Sequence, residues 1–128
     1  MSAQVCDASQ LQAAAHVPVV IVGGGACGLT AALALHRLGV ECVVLERDAT
    51  PSGSTALSSG FVPAPCTHTQ KAKAVVDSPA QFANDIQAKA KGTASPALVQ
   101  AYSQAIGPAL DALADAHGIH WELLDNFL

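Results

Sequence analysis

Hydrophobic positions along this chain fall first into a β-branched run, then a helical period, then a second run, and that order predicts the architecture of its first third. Val17 to Val22 is interrupted only by Pro18 and stopped by three glycines, which is how a buried parallel strand reads. Pro18 suits its first, unpaired end. Ala26 to Leu38 repeats apolar residues at helical spacing through Leu29, Ala32, Leu33 and Leu38, and Gly39 is placed for a left-handed stop. Val40 to Leu45 is the second run, closing on Glu46, Arg47 and Asp48. Strand, helix and strand in so short a span predict a right-handed, parallel β-α-β unit.

Beyond it the pattern changes. Ala49 to Pro65 is rich in Ser, Gly, Pro and Thr and has no period that would bury a face, so it reads as a long loop. Loops of that length within compact domains are usually functional or disordered, so this one needs a ligand or a neighbour to order it. Ser78 before Pro79 marks the cap and first position of a helix to about Lys91; Ser95 and Pro96 mark another to about His117, ended by Gly118. Ile119 to Leu124 predicts a short strand. The fold class is α/β, and Gly-x-Gly-x-x-Gly at Gly23, Gly25 and Gly28, between the first strand and the helix, makes it the incomplete start of a Rossmann-like fold, with residues 1–17 as a flexible extension and 18–128 as a partial dinucleotide-binding domain.

Composition narrows the partners. A chain of 128 residues is long enough for one compact domain. Apolar residues make up 51% and aromatic ones only 4%, with alanine in excess, which favours helices. A formal charge of -4 without a basic cluster argues against nucleic acid and anionic membranes as partners. No basic leader and no membrane-length apolar stretch is present, so the expected location is the cytoplasm. Cys6, Cys27, Cys42 and Cys66 form neither a CxxC pair nor a CxxCH motif; free thiols and no metal site are expected.

The chemistry sits between the two runs. Gly23, Gly25 and Gly28 form Gly-x-Gly-x-x-Gly directly after the first strand and at the start of the helix, the context this dinucleotide fingerprint needs. Gly23 permits the tight turn, Gly25 lets backbone N–H groups approach a pyrophosphate, and Gly28 lets helix pack closely on strand. Ala26 and Cys27 lie in the helix N-terminus that meets the negative charge. Cys27 reads as a small packing residue rather than a redox thiol. Glu46 follows at about the 20-residue interval the motif calls for, where a carboxylate accepts from ribose hydroxyls and disfavours a 2'-phosphate, as in NADP. Arg47 has two readings, a contact at the adenine edge or a solvated charge.

The stretch "VVIVGGGACGLTAALALHRLGVECVVLERDATPSGSTALSSGFVPAP" resembles the FAD-binding start of the fumarate reductase and succinate dehydrogenase flavoprotein family, which includes 3-ketosteroid dehydrogenases. The likeness rests on the fingerprint, on Glu46 with Arg47, and on "SGSTALSSG" from Ser52 to Gly60, similar to that family's Gly-Gly-[Asn/Ser]-[Ser/Thr] segment. It implies FAD as cofactor, with contacts from Ser54, Thr55, Ser59 and Gly60. Ser52 departs from the family's first glycine. Ser54 stands where membrane-bound members have the histidine that carries FAD covalently, so noncovalent FAD is implied. The helical stretch after Asp77 is similar to the one that follows in soluble members.

The resemblance further implies hydride transfer at a carbon–carbon bond beside a carbonyl or carboxylate of a small-molecule substrate. Members of that family continue for several hundred residues, through a capping domain and the substrate-binding His and Arg residues. Two alternatives stand beside this reading: a truncated, non-catalytic nucleotide-binding fragment, or one part of a flavoprotein completed by a partner chain. An NAD-dependent dehydrogenase module is a third, and it leaves "SGSTALSSG" unexplained. No catalytic residue is assigned. His16, His36, His117 and His120 read as surface or packing residues, and His68 is the histidine placed after the loop that could face a flavin. Trp121 and Phe127 read as core residues, Ser58 and Ser59 as loop hydrogen-bonders.

Overall fold

A computed structural model describes residues 16–124. Most of the expected N-terminal extension, Cys6 and Phe127 lie outside them. Strand β1 (Val19–Val22) and strand β2 (Cys42–Leu45) pair in parallel, Val19 opposite Cys42 and Val22 opposite Leu45. Helix α1 (Ala26–Arg37) joins them, and the chain leaves it through Gly39 at φ +68°, the left-handed conformation that its lack of a Cβ makes cheap. The β-α-β unit is therefore as the hydrophobic pattern predicts, and the class is mixed α/β with a small parallel sheet.

Side chains alternate across this sheet. Val19, Ile21, Cys42 and Val44 are half-buried, whereas Val20, Val22, Val43 and Leu45 are exposed, with Val22 at 85%. Ile21 lies on the α1 side, since its Cγ2 would sit 3.1 Å from a Cβ placed on Gly28. That same Cβ would collide with the Gly23 carbonyl oxygen, so the close approach of helix and strand requires glycine at 28.

Two short helices were not legible as periods. Helix α2 (Ser54–Leu57) is a single turn inside the expected loop, and helix α3 (His68–Ala72) follows that loop. Neither is long enough to repeat an apolar position, but α3 did carry a readable start. Thr67 accepts from the Gln70 N–H at 3.3 Å and the Gln70 side chain accepts from the Thr67 N–H at 3.0 Å, a reciprocal capping box. Helices α4 (Pro79–Lys89) and α5 (Pro96–His117) begin at the two Ser-Pro signals. Ser78 accepts from Gln81 N–H at 3.0 Å, and Gly118 ends α5 at φ +66°.

Ile119 to Leu124 is not a strand. Its bonds are of another kind: the Trp121 indole donates to the Leu110 carbonyl at 2.9 Å, and Lys73 Nζ donates to the Leu123 carbonyl at 3.3 Å. Alternating apolar residues form a strand only where another strand offers an edge, and here the segment is tied to α5 by a side chain instead.

The chain divides into two compact units between Phe61 and Val62. In the second, α5 buries a stripe of Val99, Ser103, Gly107 and Leu110. Pro65 is fully buried, and a Cβ on Gly107 would collide with the Pro65 carbonyl oxygen. Phe82 on α4 meets Tyr102 on α5 with ring centroids 5.9 Å apart, and the Tyr102 hydroxyl donates to the Pro63 carbonyl at 3.0 Å. Burial raises the Tyr102 pKa. Gly107→Ala tests this crossing, because overpacking costs about 1–3 kcal/mol and alanine's helix preference returns about 1. A net loss of up to about 2 kcal/mol is expected, read in urea from the fluorescence of Trp121, the only tryptophan. An unchanged midpoint would show that the segment at Pro65 can retreat freely.

Candidate cofactor-binding turn

The turn between β1 and α1 is built by three consecutive glycines with three different duties. Gly23 takes φ +102°, with nothing within 4 Å of where a Cβ would stand, and its N–H donates to the Leu45 carbonyl at 2.8 Å. Gly24 is buried beneath Glu46: a Cβ there would lie 3.0 Å from Glu46 Oε2. Gly25 is the N-cap of α1, extended in backbone and without a side chain to cap the helix.

Glu46 reaches back from the end of β2. Its Oε2 accepts from Gly24 N–H at 2.7 Å and its Oε1 from Asp48 N–H at 3.1 Å. These two backbone donors, Asp48 foremost and then Gly24, lower the Glu46 pKa, so the side chain is a carboxylate at neutral pH. A carboxylate offers about four acceptor positions, and two are used here. Glu46 thus locks the turn to the strand end and still has lone pairs for hydroxyl donors.

Thr55 approaches from the other side. Its Oγ1 accepts from Ala26 N–H at 3.0 Å, supplying from α2 the cap that Gly25 lacks. The same oxygen would stand 3.4 Å from a Cβ on Gly25. The sequence placed Glu46 and Thr55 near a ligand; the structure brings both onto the backbone of the turn. Gly24 was not singled out from the sequence, although the uninterrupted triplet of glycines was its signal.

Three N–H groups are left. Those of Gly25, Cys27 and Gly28 meet no acceptor among the described residues, at the positive end of a 12-residue helix. Unpaired backbone donors at a helix N-terminus suit an anion such as a pyrophosphate. The residues present therefore fit the phosphate portion of a dinucleotide.

Other expected residues sit elsewhere. Arg47 is 90% exposed and pairs with Asp48 at 3.3 Å, a bond that raises its own pKa and lowers that of Asp48. Ser52 Oγ donates to Asp48 Oδ2 at 2.6 Å. Ser54, Ser59 and Gly60 are exposed and make no bond to the turn among the described residues; Gly60 N–H donates to Ser58 Oγ at 2.9 Å. Cys27 is exposed rather than packed, and it, Cys42 and Cys66 are free thiols. In the second unit, His68 donates from its N–H to Asp111 Oδ1 at 2.9 Å, with ring nitrogens 3.5 Å from Asp111 and 3.9 Å from Asp115. Among the described residues no His, Cys, Asp or Glu cluster suits a metal ion, and no helix is long and apolar enough to cross a membrane.

The sequence profile of the FAD binding domain family matches residues 18–125. The chain belongs to this FAD-binding family. It is similar to a fumarate reductase (cytochrome) of Shewanella frigidimarina, 33% identical over 68% of this chain and 15% of that protein. A urocanate reductase of Eggerthella lenta is 31% identical over 87% of this chain and 18% of its own length. A fumarate reductase of Schizosaccharomyces pombe is 26% identical over 91% of this chain and 23% of its own. The chain thus spans less than a quarter of each of these relatives. The cofactor expected from the resemblance, FAD, is that of the matched family.

The Glu46 clasp is pH-dependent in a stated direction. Because its pKa is lowered, its contribution is complete above the ordinary glutamate value, about 4.3, and fades as pH falls through the lowered value. Exchange of the Gly24 amide should therefore be protected at pH 7, relative to Glu46→Ala, and the difference should shrink in acid. Equal exchange in both proteins at pH 7 would remove the clasp.

Proposed function

We propose that this chain anchors FAD noncovalently by its ADP half, as the cofactor-holding part of an oxidoreductase. The reaction proposed is hydride transfer at a carbon–carbon bond beside a carbonyl or carboxylate. The single observation that carries the anchoring role is the group of three unpaired N–H donors, held open between Glu46 and Thr55. The reaction class is supported by the fumarate and urocanate reductases among the relatives.

The work divides among the chain's own groups. Gly25, Cys27 and Gly28 donate backbone N–H bonds to the pyrophosphate, and the dipole of α1 adds to that attraction. Glu46 accepts from the adenosine ribose hydroxyls with its remaining lone pairs, and as an anion it repels a 2'-phosphate. Ser54, Ser59 and Gly60 extend the contact along the cofactor, and Arg47 guards the adenine side. Ser54 has no nitrogen with which to bond the flavin covalently. FAD supplies the hydride chemistry when bound; the protein contributes position and charge. A cytoplasmic location accords with the free thiols.

Titration of the purified chain with FAD, followed by flavin fluorescence and by absorption before and after denaturation, tests this. Saturable binding that releases intact FAD on denaturation is expected. Glu46→Ala should weaken it roughly tenfold or more, through loss of charge-assisted ribose bonds. Equal affinity for NADH would instead favour a nicotinamide module.

A second reading, in which further polypeptide completes the unit, is favoured by the exposed face of Val20, Val22, Val43 and Leu45. Parallel sheets are ordinarily covered on both faces. Failure of the isolated chain to bind FAD while its Gly24 amide stays protected would support this second reading.

A further inference from the structure

Thr55 stands in a loop expected to touch the cofactor directly, but its bond lies elsewhere. Its Oγ1 accepts from Ala26 N–H at 3.0 Å, the first turn of α1, and lies over the open side of Gly25. Gly25 itself offers no side-chain cap. Hydroxyl geometry makes the contact two-sided: an oxygen that accepts from a helix N–H still carries a proton to donate, and that proton has no acceptor among the described residues. One turn of helix, Ser54–Leu57, carries the threonine, closed by the Ala56 and Leu57 N–H bonds to the Gly53 carbonyl at 3.0 and 3.2 Å.

We propose that Thr55 is a positioning residue, a cap supplied in trans by α2 that fixes the start of α1 and ties the order of the 52–60 loop to the readiness of the pyrophosphate site. This rests on the anchoring role proposed above for the same turn. Holding the Ala26 N–H fixes the first turn of α1, and with it the donors of Gly25, Cys27 and Gly28. Without Thr55, Ala26 N–H is orphaned, the first turn of α1 frays, and an incoming anion must order it on binding.

Three substitutions separate the possibilities, each made in the full chain. Thr55→Ser keeps the hydroxyl and the cap, Thr55→Val keeps the shape and loses both, and Thr55→Ala loses shape as well. The first readout needs no cofactor: amide exchange of Ala26 in the ligand-free protein. It should accelerate in Thr55→Val and Thr55→Ala and be restored in Thr55→Ser. The second is the dissociation constant for FAD and for ADP, which should rise about fivefold to tenfold in Thr55→Val for both ligands, since the shared group is the pyrophosphate. Thr55→Ser should stay within about twofold of the parent.

Unchanged Ala26 exchange in Thr55→Val would overturn the capping role, whatever happens to affinity. Faster exchange with unchanged FAD and ADP affinity would overturn the link between the cap and the site. If the parent chain binds neither ligand, the anchoring role of the isolated chain falls, while the exchange measurement still decides the cap on its own.

Discussion

Helix α1 can begin where it does only because its third residue has no side chain. Gly28 passes so close to the Gly23 carbonyl that a single methyl would force helix and strand apart. From that approach follow the tight turn, the left-handed backbone at Gly23, and the exposed first-turn amides. The geometry that makes the turn sterically demanding is the geometry that leaves amides of the first turn unpaired.

Unpaired donors are a liability unless the rest of the structure manages them. Two side chains from distant parts of the sequence do so selectively. Glu46 takes Gly24 N–H and Thr55 takes Ala26 N–H, so these two amides are satisfied while those of Gly25, Cys27 and Gly28 are left. An acid and a hydroxyl suit this task for different reasons. The carboxylate is held charged by backbone donors and binds the turn through a charge-assisted bond. The hydroxyl caps a helix without adding negative charge where an anion must arrive.

Membership of the FAD-binding family gives these local facts a common purpose. The chain covers a small part of the fumarate and urocanate reductases it is similar to. His68 shows what the fold adds to the sequence. It looked available to a flavin in the sequence, yet in the structure its backbone and ring are both addressed by α5 carboxylates, which gives it a role in joining α3 to α5.

Sequence alone determined the elements whose signals are local. The β-branched runs, the glycine fingerprint, the Ser-Pro helix starts and the Gly39 and Gly118 stops each depend on neighbours a few residues away, and each stands where the pattern put it. Tertiary structure decided what depends on distance along the chain. A one-turn helix has no period, so α2 was invisible, and with it the meeting of Thr55 and Ala26 across 29 positions. Ile119 to Leu124 had the alternation of a strand but is bound to α5 by Trp121, because pairing needs an edge that spacing cannot reveal. Gly24 lay in plain sight within the triplet, and only the return of the chain to Glu46 showed why a side chain there would be crowded out.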